Sequence, residues 1–194
     1  MNWGEFRSDA GQLGEIAHRR LIGPKVLFVA TRRADGTPRV SPVEPLVLDD
    51  ELWLSMMWQS RKASDLARNP RVLIHNIITG PQDPEGELKL RGTALAEHDP
   101  DRRQRYSEEV SVLGWRPEEP FFHLFRIDID DVTLIRYRPN GDQEIIRWPA
   151  RIEVLRHAVT ETRVGAPVPT RLGILSETVL RDLRGKRHPR EGID

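Results

Sequence analysis

The sequence contains no cysteine, which excludes disulfide bridges, thiolate metal sites and thiol nucleophiles. It has no apolar run long enough to cross a bilayer, and its first residues lack the apolar core of a signal peptide. Its thirty basic residues balance its thirty acidic ones, so the overall charge favours neither nucleic acid nor an anionic membrane as a partner. We therefore expect a cytoplasmic protein that binds neither nucleic acid nor a membrane.

Several functional motifs are also missing. The six histidines are scattered without metal-ligand spacing, so we expect no metal site. No Ser-His-Asp set, phosphate-binding glycine loop or dinucleotide fingerprint is present. His75 and Asn76 interrupt an apolar run, and a structural role is favoured there over proton transfer. We therefore name no catalytic residue.

The hydrophobic pattern predicts a mainly β protein. Strands are predicted at 25–31, 39–48, 51–58, 72–78, 87–97, 121–137 and 143–148, and helices at 10–21, 60–69, 99–112 and 174–183. The strand 25–31 is a continuous apolar run, which is typical of burial on both faces. Short hairpins between strands, with helices at the margins, favour a small antiparallel β-barrel of six or so strands.

The chain divides in composition near residue 149. We expect one domain over 1–149, with an N-terminal helix, and a C-terminal extension over 150–194 that docks on the barrel or on a partner subunit.

One helix begins with an unusual arrangement of charge. Ser60 can cap a helix in which Arg61 and Lys62 occupy the first turn. Because a helix N-terminus already carries roughly half a positive charge, two cations there cost stability unless an anion lies in front of them. Free backbone N–H groups and both side chains would suit a phosphate. Alternatively, the two cations are simply solvated charges on a helix face.

The strand before this region is broken by proline. Pro42 and Pro45 remove two hydrogen-bond donors, which a central strand rarely tolerates. The stretch therefore suits an edge or a split in the barrel, where a flat ring could replace a neighbouring strand. Arg39 faces the same side as the other odd-numbered residues here, and it either contacts such a ligand or forms an ion pair with Glu44 or Asp50.

These two segments together resemble a known family. The Asp-Gly-Thr-Pro-Arg-Val-Ser-Pro-Val stretch (35–43) and the Ser-Arg-Lys, helix, Asn-Pro-Arg-Val succession within 52–72 are similar to the FMN-binding split-barrel superfamily of pyridoxamine 5′-phosphate oxidase. The resemblance covers roughly residues 20–148. It implies a Greek-key-like split barrel and a homodimer with one FMN in each of two clefts between subunits.

Carried over by position, the resemblance also implies a set of cofactor-binding residues. Arg39 to Val43 would lie along the flavin ring and ribityl chain, Ser55 and Met56 would contact the ribityl-phosphate region, and Ser60 to Lys62 would hold the phosphate. The full set is Arg39, Val40, Ser41, Pro42, Val43, Ser55, Met56, Ser60, Arg61 and Lys62. Met57 and Trp58 are expected to pack in the core or an interface, and Trp148 lies near a position that the family often fills from the second subunit.

The sequence departs from true pyridoxamine phosphate oxidases near its C-terminus. Those enzymes carry an Arg-Leu-His-Asp-Arg-like segment that grips the substrate phosphate, whereas residues 137–142 here read Tyr-Arg-Pro-Asn-Gly-Asp. We therefore expect an FMN-dependent oxidoreductase with a different small-molecule substrate. The alternatives are a non-catalytic flavin- or haem-binding protein and a deazaflavin-dependent reductase of the same superfamily.

Overall fold

The computed structural model describes residues 1–80, 83 and 85–175 of the chain. Its helices are α1 (Trp3–Ala10), α2 (Gln12–Ala17), α3 (Arg61–Arg68) and α4 (Pro100–Ser111), and a π-helical turn (His18–Ile22) follows α2. Its strands are β1 (Leu27–Arg32), β2 (Pro38–Val43), β3 (Pro45–Leu48), β4 (Glu51–Met57), β5 (Arg71–His75), β6 (Glu87–Ala96), β7 (Phe122–Tyr137), β8 (Gln143–Trp148), β9 (Ile152–Arg156), β10 (Ala158–Thr160), β11 (Arg163–Val164) and β12 (Val168–Pro169). No helix among the described residues is long and apolar enough to cross a membrane.

The strands close into a split antiparallel barrel, as the sequence predicts. β2 and β3 form one extended stretch that breaks at Glu44, so β2 pairs with β1 while β3 pairs with β4. The ring continues from β4 through β7, β6 and β5 back to β1. Helix α3 carries the chain from β4 to β5, which lies beside β1, and a return of this kind is characteristic of a Greek key.

Alternating side chains fill the barrel. Leu27 and Val29 of β1 point inward and are fully buried. Phe28, between them, points outward and is 37% exposed. The expectation that this strand is buried on both faces is therefore wrong, because no described residues form a layer over its outer face. The apolar run reflects one buried face and one exposed apolar face.

Gly92 marks an irregularity between β6 and β7, as its place inside a predicted strand indicates. The pairing register shifts between Arg91 and Gly92. A Cβ atom added at Gly92 would lie 2.4 Å from the carbonyl oxygen of Asp128. The close approach of two backbones therefore requires glycine at this position.

The N-terminal helices cover an opening in the barrel. Asn2 and Glu5 form a capping box at the start of α1, and the chain turns at Gly11, which has a φ of 62°. The predicted helix 10–21 is present as α2 and the π-helical turn, whereas α1 was not predicted. Phe6 of α1 packs edge-on against Trp148, with ring centroids 5.0 Å apart.

The chain beyond residue 149 extends the sheet. β9 pairs with β8, and β12 pairs with β9. Glu153 of β9 accepts four backbone N–H groups, from residues 172–175, and Ile174 is buried in the core. The predicted helix 174–183 falls mostly outside the described residues, and Ile174 and Leu175 are not helical. The division at residue 149 stays a prediction.

Candidate functional site

Helix α3 begins where the sequence predicts. Gln59 has a φ of 56°, and the turn before the helix is closed by the N–H group of Ser60, which donates to Met57 at 3.1 Å. Ser60 is the N-cap, and its hydroxyl oxygen accepts the N–H group of Ala63 at 3.4 Å. The first turn contains no acidic residue. Arg61 and Lys62 therefore add positive charge to the positive end of the helix dipole.

Neither of these two cations is neutralised by a neighbouring carboxylate. Among the described residues, no carboxylate lies within ion-pair distance of Arg61 or Lys62, and Arg61 is exposed. The N–H groups of the first helical turn have no partners within the helix either, apart from the one that Ser60 caps. The start of α3 is therefore a positively charged surface with free donors, which is the environment that a phosphate requires.

Strand β2 presents an open edge. In the turn that joins β1 to β2, the N–H group of Arg33 donates to Thr37 at 2.9 Å. Because the pairs of an antiparallel ladder alternate, the odd-numbered residues of β2 hydrogen-bond with β1 and the even-numbered ones direct their backbone groups to the opposite edge. Pro38 and Pro42 have no N–H group, so this edge offers three carbonyl oxygens and one donor, the N–H of Val40. No described strand pairs there.

Lys62 joins the two parts of the site. Its ammonium group donates to the carbonyl oxygen of Pro42 at 3.3 Å, across the gap between α3 and the open edge of β2. The structure thus brings together the two segments that the sequence analysis paired. The ammonium group has further protons available for a ligand, since it has three donors.

The side chain of Arg39 is oriented by a buried carboxylate. Its Nε atom donates to Asp65 of α3 at 2.7 Å, and the same carboxylate also accepts from Thr31 and Arg68. The expected partners Glu44 and Asp50 are therefore wrong, because α3 crosses the barrel end and places Asp65 nearer. Burial raises the pKa of Asp65, but the hydrogen bonds from Arg39, Arg68 and Thr31 outweigh it and hold that pKa below its ordinary value.

The arginine keeps part of its guanidinium free. Only Nε of Arg39 is engaged, and its two terminal nitrogens donate to no described residue. Asp65 therefore fixes the direction of this side chain and leaves two donor groups for a ligand. Nothing in the sequence distinguishes Asp65, because its position in the second turn of α3 is that of an ordinary polar helix residue.

The remaining predicted cofactor-binding residues differ in which of their atoms a ligand could reach. Val43 and Met56 have side chains buried in the core, so a ligand could reach only their backbone atoms. Ser55 lies beside the hydroxyl of Tyr106 on α4, whose pKa is raised by burial. Val40 and Pro42 are exposed on the outer face, and Ser41 is half-buried. The start of α3 and strand β2 therefore lie together, whereas the side chains of Ser55 and Met56 point away from them.

The structure also shows the surroundings of Met57, Trp148 and Asn76, for which the sequence predicts packing or structural roles. Met57 is 78% exposed, so it does not pack in the core of the chain. Trp148 is buried, and its indole N–H donates to Asp9 at 2.6 Å, so its ring packs within the core of its own chain. Asn76 is fully buried with its amide donating to Ile77 and Gly86, and Nδ1 of His75 lies 2.6 Å from the carbonyl oxygen of Asn76. A structural role for His75 stays a prediction. Among the described residues, no cluster of histidine and acidic side chains could hold a metal ion.

Comparisons with known proteins point to one family. The sequence model of the family described as pyridoxamine 5′-phosphate oxidase matches residues 15–136 of the chain. A comparison with curated proteins finds no significant match.

Solved structures share the fold at low sequence identity. A pyridoxamine 5′-phosphate oxidase-related FMN-binding protein from Nostoc punctiforme has a TM-score of 0.53 at 16% identity, covering 81% of this chain and 95% of that one. A putative pyridoxamine 5′-phosphate oxidase from Listeria innocua has a TM-score of 0.52 at 18% identity, covering 63% and 94%. A NimC/NimA family protein from Clostridium acetobutylicum has a TM-score of 0.52 at 18% identity, covering 69% and 91%.

Proposed function

Because the chain belongs to the pyridoxamine 5′-phosphate oxidase family, we propose that it binds FMN and acts as an FMN-dependent oxidoreductase on a small organic substrate. The observation that carries the proposal is the contact between Lys62 and Pro42, which joins an uncompensated cationic helix start to an open strand edge. A ligand with a phosphate at one end and a flat polar ring at the other fits both parts at once.

The start of α3 suits the phosphate. Arg61 and Lys62 supply two cations, and the free N–H groups of the first turn supply neutral donors along the helix axis. Charge-assisted hydrogen bonds to phosphate contribute about 1.5–3 kcal/mol each. Binding of the phosphate would also relieve the unfavourable interaction of both cations with the helix dipole.

The edge of β2 suits the ring. One N–H donor at Val40 lies between the carbonyl acceptors of Pro38 and Pro42, and a flavin ring edge carries both donors and acceptors. The free terminal nitrogens of Arg39, held in place by Asp65, add positive charge beside this edge. When bound, FMN supplies hydride and electron transfer, while these residues position it and stabilise negative charge.

Oxidation of a vitamin B6 phosphate is not part of the proposal. In the hairpin that replaces the family's substrate-gripping segment, Arg138 donates both Nε and Nη2 to Glu144. Its guanidinium is therefore already paired with a carboxylate instead of being available to a substrate phosphate. The substrate is a small organic molecule of another kind, bound in a cleft that a second copy of the chain completes.

A non-catalytic flavin-binding protein is the second candidate function. The site assembles cations together with backbone donors and acceptors, which are binding groups, and it contains no identified acid or base. A deazaflavin or haem in place of FMN belongs to the same set of alternatives. A bound deazaflavin or haem would differ from FMN in its visible absorption spectrum.

The absorption spectrum of the purified protein, with mass spectrometry of the released cofactor, tests the proposal. We expect an FMN spectrum, either as purified or after FMN is added and excess is removed. Reduction of the bound flavin by NADH or NADPH, followed by turnover of an acceptor, separates the oxidoreductase from the binding protein. A protein that stays colourless after addition of FMN would overturn both flavin functions.

A further inference from the structure

A histidine outside the predicted site lies directly beneath the loop that leads into α3. His123 of β7 is paired with Met56 of β4 in the ladder. Its ring stacks on Trp58, with centroids 5.1 Å apart and planes 12° apart, and on Phe125, with centroids 6.4 Å apart and planes 19° apart. Three aromatic rings thus form a stack from the core to the surface, and its outermost member belongs to the loop.

The same histidine holds the backbone of that loop. The N–H group of Gln59 donates to Nε2 of His123 at 3.3 Å. Gln59 has a φ of 56°, a left-handed conformation that a residue other than glycine adopts only when its surroundings impose it. The next residue is Ser60, the N-cap of α3, so the conformation of Gln59 sets where the first turn of the helix begins.

We infer that His123 is a positioning residue for the phosphate site: by stacking on Trp58 and accepting the N–H group of Gln59, it fixes the loop that presents Ser60, Arg61 and Lys62. The inference rests on the proposed function for the identity of the ligand, FMN. The structural effect on Gln59 does not depend on the proposed function. His123 does not itself touch the ligand.

This role makes the site sensitive to pH. To accept a hydrogen bond at Nε2, the ring must be neutral, with its proton on Nδ1. Burial lowers the pKa of His123, and the charge of Arg103 lowers it further, so both favour the neutral ring. As the pH falls through this pKa, the ring gains a proton on Nε2 and loses the acceptor.

His123 lines a cavity of about 360 Å³. Other charged groups that line this cavity also affect the pH dependence of binding. Arg103 of α4 is paired with Glu119 of the loop before β7. Glu97, after β6, accepts from the backbone of His98 and is paired with Arg102. His98 also faces the cavity, and the second proton of a bound FMN phosphate titrates at about pH 6. A comparison between variants at each pH removes these shared contributions.

Three variants separate the parts of the inference. His123→Gln keeps an acceptor near the position of Nε2 but does not titrate. His123→Phe keeps a ring for stacking on Trp58 but has no acceptor. His98→Gln is the matched control, because it replaces a second histidine that lines the same cavity with glutamine and does not affect the hydrogen bond to Gln59. Thermal unfolding monitored by circular dichroism checks that each variant is folded.

The first readout is the Kd for FMN between pH 5 and pH 8. We expect His123→Phe to bind about threefold to tenfold more weakly than wild type at neutral pH, which is the effect of one lost hydrogen bond. His123→Gln should bind like wild type at neutral pH and more tightly than wild type once the pH falls below the pKa of His123. His98→Gln should follow the wild-type pH profile. Equal affinity of wild type and His123→Phe at neutral pH would overturn the inference.

The second readout needs no ligand. Backbone amide exchange at Gln59, measured by NMR, should be faster in His123→Phe than in wild type and unchanged in His98→Gln. If wild type fails to bind FMN but Gln59 exchanges faster in His123→Phe, the proposed function fails and the positioning role stands. If exchange at Gln59 is the same in both proteins, the positioning role fails.

Discussion

The ammonium nitrogen of Lys62 lies 3.3 Å from the carbonyl oxygen of Pro42, so the first turn of α3 touches the open edge of β2. Each part alone has an ordinary explanation, because cations are common on helix surfaces and a split barrel leaves strand edges unpaired. Their contact is what makes a phosphate-and-ring ligand the simplest account of both.

Asp65 is expected to stabilise the fold and to orient Arg39. Asp65→Asn weakens three hydrogen bonds to a buried carboxylate, from Thr31, Arg39 and Arg68. We expect the free energy of unfolding to fall by about 1–3 kcal/mol, as for other buried groups that lose charged partners. Urea denaturation measures the change. Asp130→Asn, at an exposed position on β7, is the control and should change stability little.

The contribution of Asp65 should also depend on pH. Its pKa is lower in the folded protein than in the unfolded chain, so its stabilisation is present above the ordinary aspartate pKa of about 3.9 and is lost as the pH falls through the folded value. The difference in unfolding free energy between wild type and Asp65→Asn should therefore be constant near neutral pH and shrink in acid. A difference that persists unchanged at low pH would contradict this.

Gly92 should not accept a side chain. In Gly92→Ala, the new Cβ would meet the backbone of Asp128 at 2.4 Å, and backbone cannot move aside as a flexible side chain can. We expect a loss of about 1–3 kcal/mol in the free energy of unfolding, which is typical of overpacking. Gly80→Ala is the matched control, since no atom lies within 4 Å of the added Cβ there. Equal melting temperatures for the two variants would show that the β6–β7 contact is looser than described.

The chain is predicted to form a homodimer. Phe28, Val40 and Ile78 leave an apolar surface on the outer face of β1, β2 and the segment that follows β5. Sedimentation equilibrium should give a mass near twice the 22.3 kDa of the chain. Ile78→Arg should weaken the dimer, whereas Val159→Arg, an exposed valine on β10, should not. A wild-type protein that stays monomeric at micromolar concentration would contradict the prediction.

Local signals in the sequence were sufficient for much of the barrel. Alternating apolar residues, turn residues and the Ser60 cap each act over a few residues, and the predicted strands and α3 are present in the structure. Burial was harder to predict. The apolar run of β1 is consistent with burial on one face or two, and only the arrangement of the sheet decides that Phe28 stays outside.

The site was predicted in outline but not in its supporting contacts. Arg61 and Lys62 were recognisable because their charge conflicts with the helix dipole, and Pro42 because it lacks a donor. Asp65 and His123 gave no such signal. Each acts through a partner that is distant in sequence, 26 residues away for Arg39 and 64 for Gln59, and such contacts depend on the folded barrel.

The most direct test of the phosphate site compares the affinities for FMN and for riboflavin, which lacks the phosphate, in wild type and in Arg61→Ala/Lys62→Ala. A double variant of two exposed arginines elsewhere, Arg71→Ala/Arg147→Ala, controls for the change in net charge. We expect wild type and control to bind FMN far more tightly than riboflavin. The double variant at α3 should lose a few kcal/mol of FMN binding, on the basis of about 1.5–3 kcal/mol per contact, and keep its riboflavin affinity. An unchanged FMN affinity in Arg61→Ala/Lys62→Ala would contradict the account.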